Sequence, residues 1–150
     1  MDQDATTNAI FNLFNEINII AQLSSNLLNR VLPEGLSVAH FSILNHMVRC
    51  GDGCTPVELA SALQVTKATM SHSIDVLSRR HFIRVERHPE DGRSKLIFLT
   101  KAGRSFRERA VMEATAALSE IAGQFDRKTL QQLLPQLVTI REILDQNRIR

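Results

Sequence analysis

The sequence predicts a mainly α chain of the α+β class, with six helices and one β-hairpin in 150 residues. Apolar residues recur at helical spacing over most of the chain. A short capped helix, a sharp turn and a second helix occupy Thr55–Arg80, and a basic hairpin, Arg84–Thr100, follows directly. This order of elements is typical of a winged helix-turn-helix, which we expect to span residues 37–100.

The first predicted helix covers residues 6–30 and is apolar over a wide arc, so more than one surface is needed to cover it. Pro33–Gly35 ends this helix. Ser37 is placed to cap a second helix that ends near Arg49. The inward positions predicted for the second helix are Phe41, Leu44, Met47 and Val48.

The helix-turn-helix begins with a clear N-terminal signal. Thr55 can cap its first helix, Pro56 stands at the first helical position, and Glu58 can close a capping box. Thr66 can cap the second helix, expected over residues 67–80. That helix carries a core stripe at i, i+4 and i+7, formed by Met70, Ile74 and Leu77. Its opposite face is small or polar, so the groove of a DNA duplex could approach it closely.

Strand patterns follow at residues 82–87 and 95–99, and Pro89–Gly92 is expected to supply the turn between them. Thr100 is placed to cap a long helix that ends near Ala122, and Asp126 to cap the last helix. Six apolar positions of the long helix are candidates for burial: Phe106, Val111, Ala114, Ala117, Leu118 and Ile121.

The charge is unevenly distributed, although the net charge is only +2. Residues 1–66 carry a net −4, residues 67–109 carry +6, and residues 110–150 carry zero. A basic middle third is the expected footprint of a surface that binds a polyanion; the alternative is a solvated surface of mixed sign. No apolar run is long enough to span a bilayer and the start lacks a secretory signal, so we expect a cytoplasmic protein without a membrane partner.

The terminal helices lie outside the minimal winged helix. We expect residues 6–30 and residues 101–146 to pack together as a helical dimerisation region, because readers of this type usually meet two half-sites with two-fold symmetry. The alternative is a helical bundle that completes a monomer.

The chain resembles the MarR family of bacterial transcriptional regulators along nearly its whole length. The resemblance rests on the run TPVELASALQVTKATMSHSIDVLSRR and on the wing, which has Asp91-x-Arg93 and then Leu99-Thr100-x-x-Gly103. It implies a homodimeric winged-helix regulator, usually a repressor, that binds double-stranded DNA and often responds to a small aromatic or anionic effector or to oxidants. Two positions depart from the family: His81 stands where Gly is common, and His72 where Arg is frequent.

Five residues at the start of the second helix of the motif are candidates for the major groove: Thr66, Lys67, Thr69, Ser71 and His72. The first turns of a recognition helix lie nearest the base edges. Ser and Thr can donate or accept, and Lys favours guanine or phosphate. Alternatively, Thr66 only caps the helix and Thr69 only packs.

The wing supplies a second set of candidates. Arg93 stands on a narrow tip and suits the negative potential of an A·T-rich minor groove. Asp91 is better explained as an acceptor for turn amides that fixes Arg93. Arg87, Lys95 and Arg84 are candidate phosphate contacts, although their summed field is the safer inference.

Other chemistry finds little support. Cys50 and Cys54 could form a redox switch or, with a nearby His, bind a metal, but two ordinary thiols are the better interpretation. No phosphate loop, nucleophile elbow or zinc-binding helix motif is present, so we expect neither an enzyme nor a cofactor. The alternative to a DNA-binding regulator is a winged helix that binds another protein.

Overall fold

The computed structural model describes residues 2–148 and contains six helices and one antiparallel hairpin in that range. The helices are α1 (Asp2–Val31), α2 (Val38–Cys50), α3 (Pro56–Leu63), α4 (Lys67–Arg79), α5 (Lys101–Ala122) and α6 (Arg127–Gln146). The strands are β1 (Ile83–Arg87) and β2 (Lys95–Leu99), with Ile83 opposite Leu99 and Arg87 opposite Lys95. The predicted fold class is therefore confirmed.

The chain divides into two compact units, and the division falls inside α5, between Ala114 and Thr115. The first unit contains the helix-turn-helix, the hairpin and a well-buried apolar core. Its fully buried side chains are Ile43, Leu44, Met47, Leu59, Met70, Leu77 and Ile97. The predicted stripe of α4 is thus confirmed, because Met70, Ile74 and Leu77 all lie in this core.

Local hydrogen bonds explain where the helices begin. Thr55 Oγ1 accepts from the Glu58 amide at 3.2 Å, and the Glu58 carboxylate accepts from the Thr55 amide at 2.7 Å. Thr66 Oγ1 accepts from the Thr69 amide at 3.1 Å. Each bond satisfies a backbone group that has no partner inside its helix, which is why these two starts were predictable.

The turn after α4 has the left-handed conformation that usually favours Gly. His81 has φ 58°, and the Phe82 amide donates to the Leu77 carbonyl at 3.0 Å. Only a few per cent of residues other than Gly adopt such a φ. The departure from the family at His81 therefore leaves the turn geometry in place.

Several sequence predictions need correction. The first helix begins at Asp2 rather than at residue 6, and α4 ends at Arg79 rather than at residue 80. The first strand begins at Ile83 rather than at residue 82. The tight turn of the wing runs from Asp91 to Ser94, whose backbone groups bond at 3.0 Å, because the Asp91 carboxylate stabilises this turn by accepting from the Arg93 amide. Leu118 and Ile121 are exposed in the single chain, whereas Phe106 is buried.

Within the described range, no helix is both long and apolar enough to cross a membrane.

Candidate nucleic-acid interface

The exposed face of α4 carries the residues predicted for the major groove. Lys67, Ser71 and His72 are all exposed, while Met70 and Ile74 on the other side anchor the helix in the core. The helix therefore presents a polar surface whose position is fixed by apolar packing. Asp75 lies on the same exposed face and pairs with Arg79 at 2.7 Å.

Thr66 and Thr69 are engaged with each other. The Thr66 hydroxyl donates to the Thr69 hydroxyl at 2.9 Å, besides accepting from the Thr69 amide. The capping role considered for Thr66 is thus confirmed. Both side chains remain exposed, so each hydroxyl still has acceptor capacity for another donor.

Hydrogen bonds organise the tip of the wing around Asp91. Its Oδ1 accepts from the Arg93 amide at 3.0 Å, and its carbonyl accepts from the Ser94 amide at 3.0 Å. The predicted role of Asp91 as an acceptor for turn amides is confirmed. Arg93 is exposed at the outer end of the hairpin, so its guanidinium is available to an external anion.

Recognition helix and wing line one open groove of about 550 Å³. Ser71, Asp75 and Ser78 of α4 form one wall, and Arg93 and Lys95 belong to the wing side. Residues that are 15 to 24 positions apart in the sequence therefore face the same space. The lining is partly apolar, and its two cations and its serine hydroxyls are groups that can contact phosphate.

The cationic side chains of the hairpin differ in how freely they can contact an external anion. The Arg84 guanidinium lies 4.6 Å from the centre of the Phe98 ring and pairs with Glu86 at 2.6 Å. Stacking and pairing satisfy it within the hairpin. Arg87 and Lys95 are opposite each other at the outer end of the strands and are exposed. These two are better placed than Arg84 to meet phosphate.

The loop between α2 and α3 supports the wing from below. The Gly53 amide donates to the Ile97 carbonyl, and the Ile97 amide donates to the Cys54 carbonyl, both at 2.8 Å. The Asp52 carboxylate accepts from the Leu99 amide at 3.1 Å. The loop thus behaves as a short third strand along β2. Sequence analysis missed this support because its partners lie more than forty residues apart.

Thr100 and Gly103 fix the base of the wing. Thr100 Oγ1 donates to the His81 carbonyl at 2.7 Å and accepts from the Gly103 amide at 3.0 Å. A Cβ on Gly103 would lie 2.0 Å from the Phe82 carbonyl oxygen. The Leu-Thr-x-x-Gly signature therefore has a steric reason, since only Gly allows this close approach.

His40 is a polar residue of α2 behind the recognition helix. Its Nδ1 accepts from the Ser37 amide at 3.1 Å, and its Nε2 is buried without a partner among the described residues. Burial lowers the pKa of His40, and the nearby His72 and Arg80 lower it further. This imidazole therefore favours the neutral form.

The two cysteines differ in their exposure. Cys50 and Cys54 are both free, and Cys54 is half-buried. Burial raises the pKa of Cys54, with a further increase from the charge of Glu58, so its thiolate is disfavoured. Within the described residues, no group of three or more His, Cys, Asp or Glu is arranged to hold a metal ion.

Fold and site together define a winged helix-turn-helix protein with a polar recognition helix and a basic wing. Comparison with known proteins gives the same class, because the model described as MarR family matches residues 34–94. Residues 34–94, about two fifths of the chain, are thus similar to the MarR family. Among curated proteins, none matches the chain.

Several solved structures resemble the chain over most of its length. Apo wild-type MarR from E. coli is 25% identical, with a TM-score of 0.73 over 85% of this chain and 96% of that one. A mutant of that protein in complex with operator DNA is also 25% identical, with a TM-score of 0.68 over 89% and 96%. CouR from Rhodococcus jostii RHA1, bound to p-coumaroyl-CoA, is 23% identical, with a TM-score of 0.65 over 83% and 87%.

Proposed function

We propose that this chain is a homodimeric repressor that binds a pseudo-palindromic operator in the cytoplasm through α4 and the wing. The carrying observation is the groove in which the polar face of α4 meets Arg93 and Lys95, within the basic third of the chain. Lys67, Ser71 and His72 would read the major groove from the exposed face of α4. Thr66 and Thr69 would add hydroxyl contacts there while they cap the helix.

The wing would contribute a different kind of contact. Arg93 would enter the minor groove, where a guanidinium meets a strongly negative potential. Arg87 and Lys95 would contact phosphate, and Asp91 would hold the turn that presents Arg93. A mutant of the E. coli relative was solved in complex with operator DNA, which supports DNA binding by a chain of this fold.

Selection of a duplex from a random-sequence pool, followed by fluorescence anisotropy at two salt concentrations, tests the proposal. We expect binding to the selected duplex to exceed binding to a scrambled one by roughly a thousandfold, and to weaken as salt rises. The selected sequence should be a pseudo-palindrome. No binding even at low salt would contradict the proposal and favour a protein-binding winged helix.

Arg93→Ala tests the wing. We expect the affinity for the selected duplex to fall roughly tenfold to a hundredfold, the range of a base-contacting Arg. Lys128→Ala is the matched control, because it also removes one exposed cation but lies at the start of α6, outside the winged helix. Equal losses in the two variants would mean that only net charge matters.

Dimerisation is supported by the apolar side chains that the two terminal helices expose separately. On α1, Phe11 is 70% exposed and Leu23 is 65% exposed; on α6, Leu134 is 60% exposed. Apolar surfaces of this kind usually mark an interface. Sedimentation equilibrium should give twice the chain mass of 16.9 kDa, and a monomer at micromolar concentration would contradict this part of the proposal.

We also propose that a small aromatic or anionic effector controls DNA binding, which the CouR complex with p-coumaroyl-CoA supports. A ligand that binds only the folded chain raises its melting temperature in proportion to the logarithm of its concentration. A thermal-shift screen with aromatic carboxylates and acyl-CoA thioesters should therefore find a stabilising compound that also releases the duplex. A screen without any such compound counts against effector control.

A further inference from the structure

His88, directly after β1, forms hydrogen bonds with the backbone of the wing tip. The Nδ1 atom of His88 accepts from the amides of Glu90 and Asp91, each at 3.2 Å. Pro89, directly after His88, has no amide hydrogen. The amides of Glu90 and Asp91 are therefore the first two backbone donors of the tip. The backbone of His88 donates to the Ser94 carbonyl at 3.0 Å and so closes the loop from the other side.

These bonds continue directly into the turn that carries Arg93. Asp91, whose amide His88 accepts, also accepts from the Arg93 amide through its carboxylate. His88, Asp91 and Arg93 are therefore connected by two consecutive hydrogen bonds. Loss of the first bond would free the backbone of Asp91 and loosen the turn that presents the Arg93 guanidinium.

The geometry also defines the protonation state that this role needs. An Nδ1 atom that accepts a hydrogen bond carries no hydrogen, so the neutral ring must carry its hydrogen on Nε2. The ring is half-buried, whereas the tip residues from Pro89 to Arg93 are exposed. The ring therefore sits between the body of the winged helix and its tip.

We propose that His88 is a positioning residue for the wing, which fixes the tip so that Arg93 is presented to DNA. The inference rests on the proposed function as far as DNA is concerned. Its structural half, the order of the tip, concerns the free protein alone.

The first test measures the free protein by NMR. Long-range ¹H–¹⁵N spectra of the imidazoles should show the Nε2–H tautomer for His88, with His40 as an internal reference because its Nδ1 also accepts an amide. In His88→Ala, the amides of Glu90 and Asp91 should exchange about fivefold faster, the ratio expected for loss of one net hydrogen bond. An Nδ1–H tautomer, or unchanged exchange, would overturn the proposal.

The second test compares two amide side chains at position 88. His88→Asn places an oxygen at nearly the position of Nδ1, whereas His88→Gln places it one bond further out. We expect His88→Asn to bind the selected duplex nearly as well as the wild type, and His88→Gln and His88→Ala to bind it about fivefold more weakly, with unchanged salt dependence. Equal affinity of the Asn and Gln variants, or a shallower salt dependence that marks a direct phosphate contact, would overturn the positioning role.

The two proposals fail in different ways. A wild-type protein that selects no duplex contradicts the proposed function, and the tautomer and exchange rates then still decide whether His88 orders the tip. A wild-type protein that binds tightly while His88→Ala binds equally well contradicts the role of His88 alone.

Discussion

The winged helix and the last helix, α6, differ in how far their apolar faces are buried. In the winged helix, the apolar stripe of α4 is covered by other elements of the same chain, and Leu77 is fully buried. On α6, none of the described residues is buried, although Leu130, Leu133 and Leu134 recur at helical spacing. Periodicity therefore identifies an apolar face, but it does not show whether the chain itself covers that face.

The two regions also differ in how their backbones pack. Gly103 lies at a close approach to the Phe82 carbonyl, whereas a Cβ on Gly123, at the end of α5, would meet nothing within 4 Å. A tightly packed region tolerates no added atom, and an open one does. Adding one methyl group at each glycine tests this difference in packing.

Gly103→Ala should have the largest effect. The added Cβ would overlap backbone rather than a flexible side chain, so we expect a loss of about 3 kcal/mol or more in the free energy of unfolding. Urea denaturation followed by circular dichroism measures it. Gly123→Ala is the control and should change the value by less than about 0.5 kcal/mol. Similar losses in both variants would show that the terminal turn is packed as tightly as the base of the wing.

Leu77→Ala and Leu134→Ala form the second test. Leu77→Ala should lower the free energy of unfolding by about 2–5 kcal/mol, because it removes buried apolar surface and leaves a cavity. Leu134→Ala should instead weaken self-association. The weaker association should appear as a larger dissociation constant in sedimentation equilibrium and as a melting temperature that depends more steeply on concentration. If Leu134→Ala left association unchanged, α6 would have to be removed from the proposed dimer interface.

Thr55→Ala removes the capping box of α3 and should cost about 1 kcal/mol. Hydrogen bonds from the Thr55 amide and hydroxyl hold the pKa of Glu58 below its ordinary value of 4.5. A depressed pKa stabilises the fold above the unfolded-state value, and this contribution is lost as the pH falls through the folded-state value. The stability difference between wild type and Glu58→Gln should therefore shrink between pH 5 and pH 3, roughly the range in which a Glu carboxylate is protonated.

Asp126→Ala is the counterpart at the start of α6, where the carboxylate accepts from the amides of Lys128 and Thr129. We expect faster amide exchange in the first turn of α6 and no change in α3. A loss of protection that spread into α3 would contradict the division of the chain into two units.

His81→Gly should have the smallest effect and the opposite sign. Gly adopts the left-handed conformation of residue 81 without strain, so the variant should be more stable by about 0.5–1 kcal/mol. Arg79→Gly, two residues earlier inside α4, should instead lose about 1 kcal/mol. Thermal unfolding distinguishes the two, and destabilisation by His81→Gly would show that the imidazole contributes more than its strained backbone costs.

Much of this protein could be predicted from short-range patterns. The capping box at Thr55 and Glu58, the cap at Thr66 and the spacing of the core stripe of α4 all depend on residues within seven positions of one another. Spacing in the sequence fixes such contacts, because the backbone of a helix or turn places neighbours at known distances. The prediction of α4 therefore missed its end by a single residue.

The wing shows the limit of that reasoning. The sequence placed a turn at Pro89–Gly92, but the structure closes it at Asp91–Ser94, and the acceptor that orders it is the ring of His88. Which nitrogen of a His accepts a bond depends on where the chain turns in space, and residue type alone does not determine it. For the same reason, the sequence could not show that Arg84, which stacks on Phe98, is less free than Arg87 to contact phosphate.

The order of elements, their capped starts, the basic third of the chain and the candidate residues of α4 and the wing all follow from the sequence. The pairs of distant groups that come together do not: Asp52 bonds to the Leu99 amide, Gly103 packs against the Phe82 carbonyl, and Ser71 and Arg93 line one groove. The physical reason is the range of each interaction. Hydrogen bonds within one turn follow from local geometry, whereas contacts between distant segments exist only once the apolar core has packed.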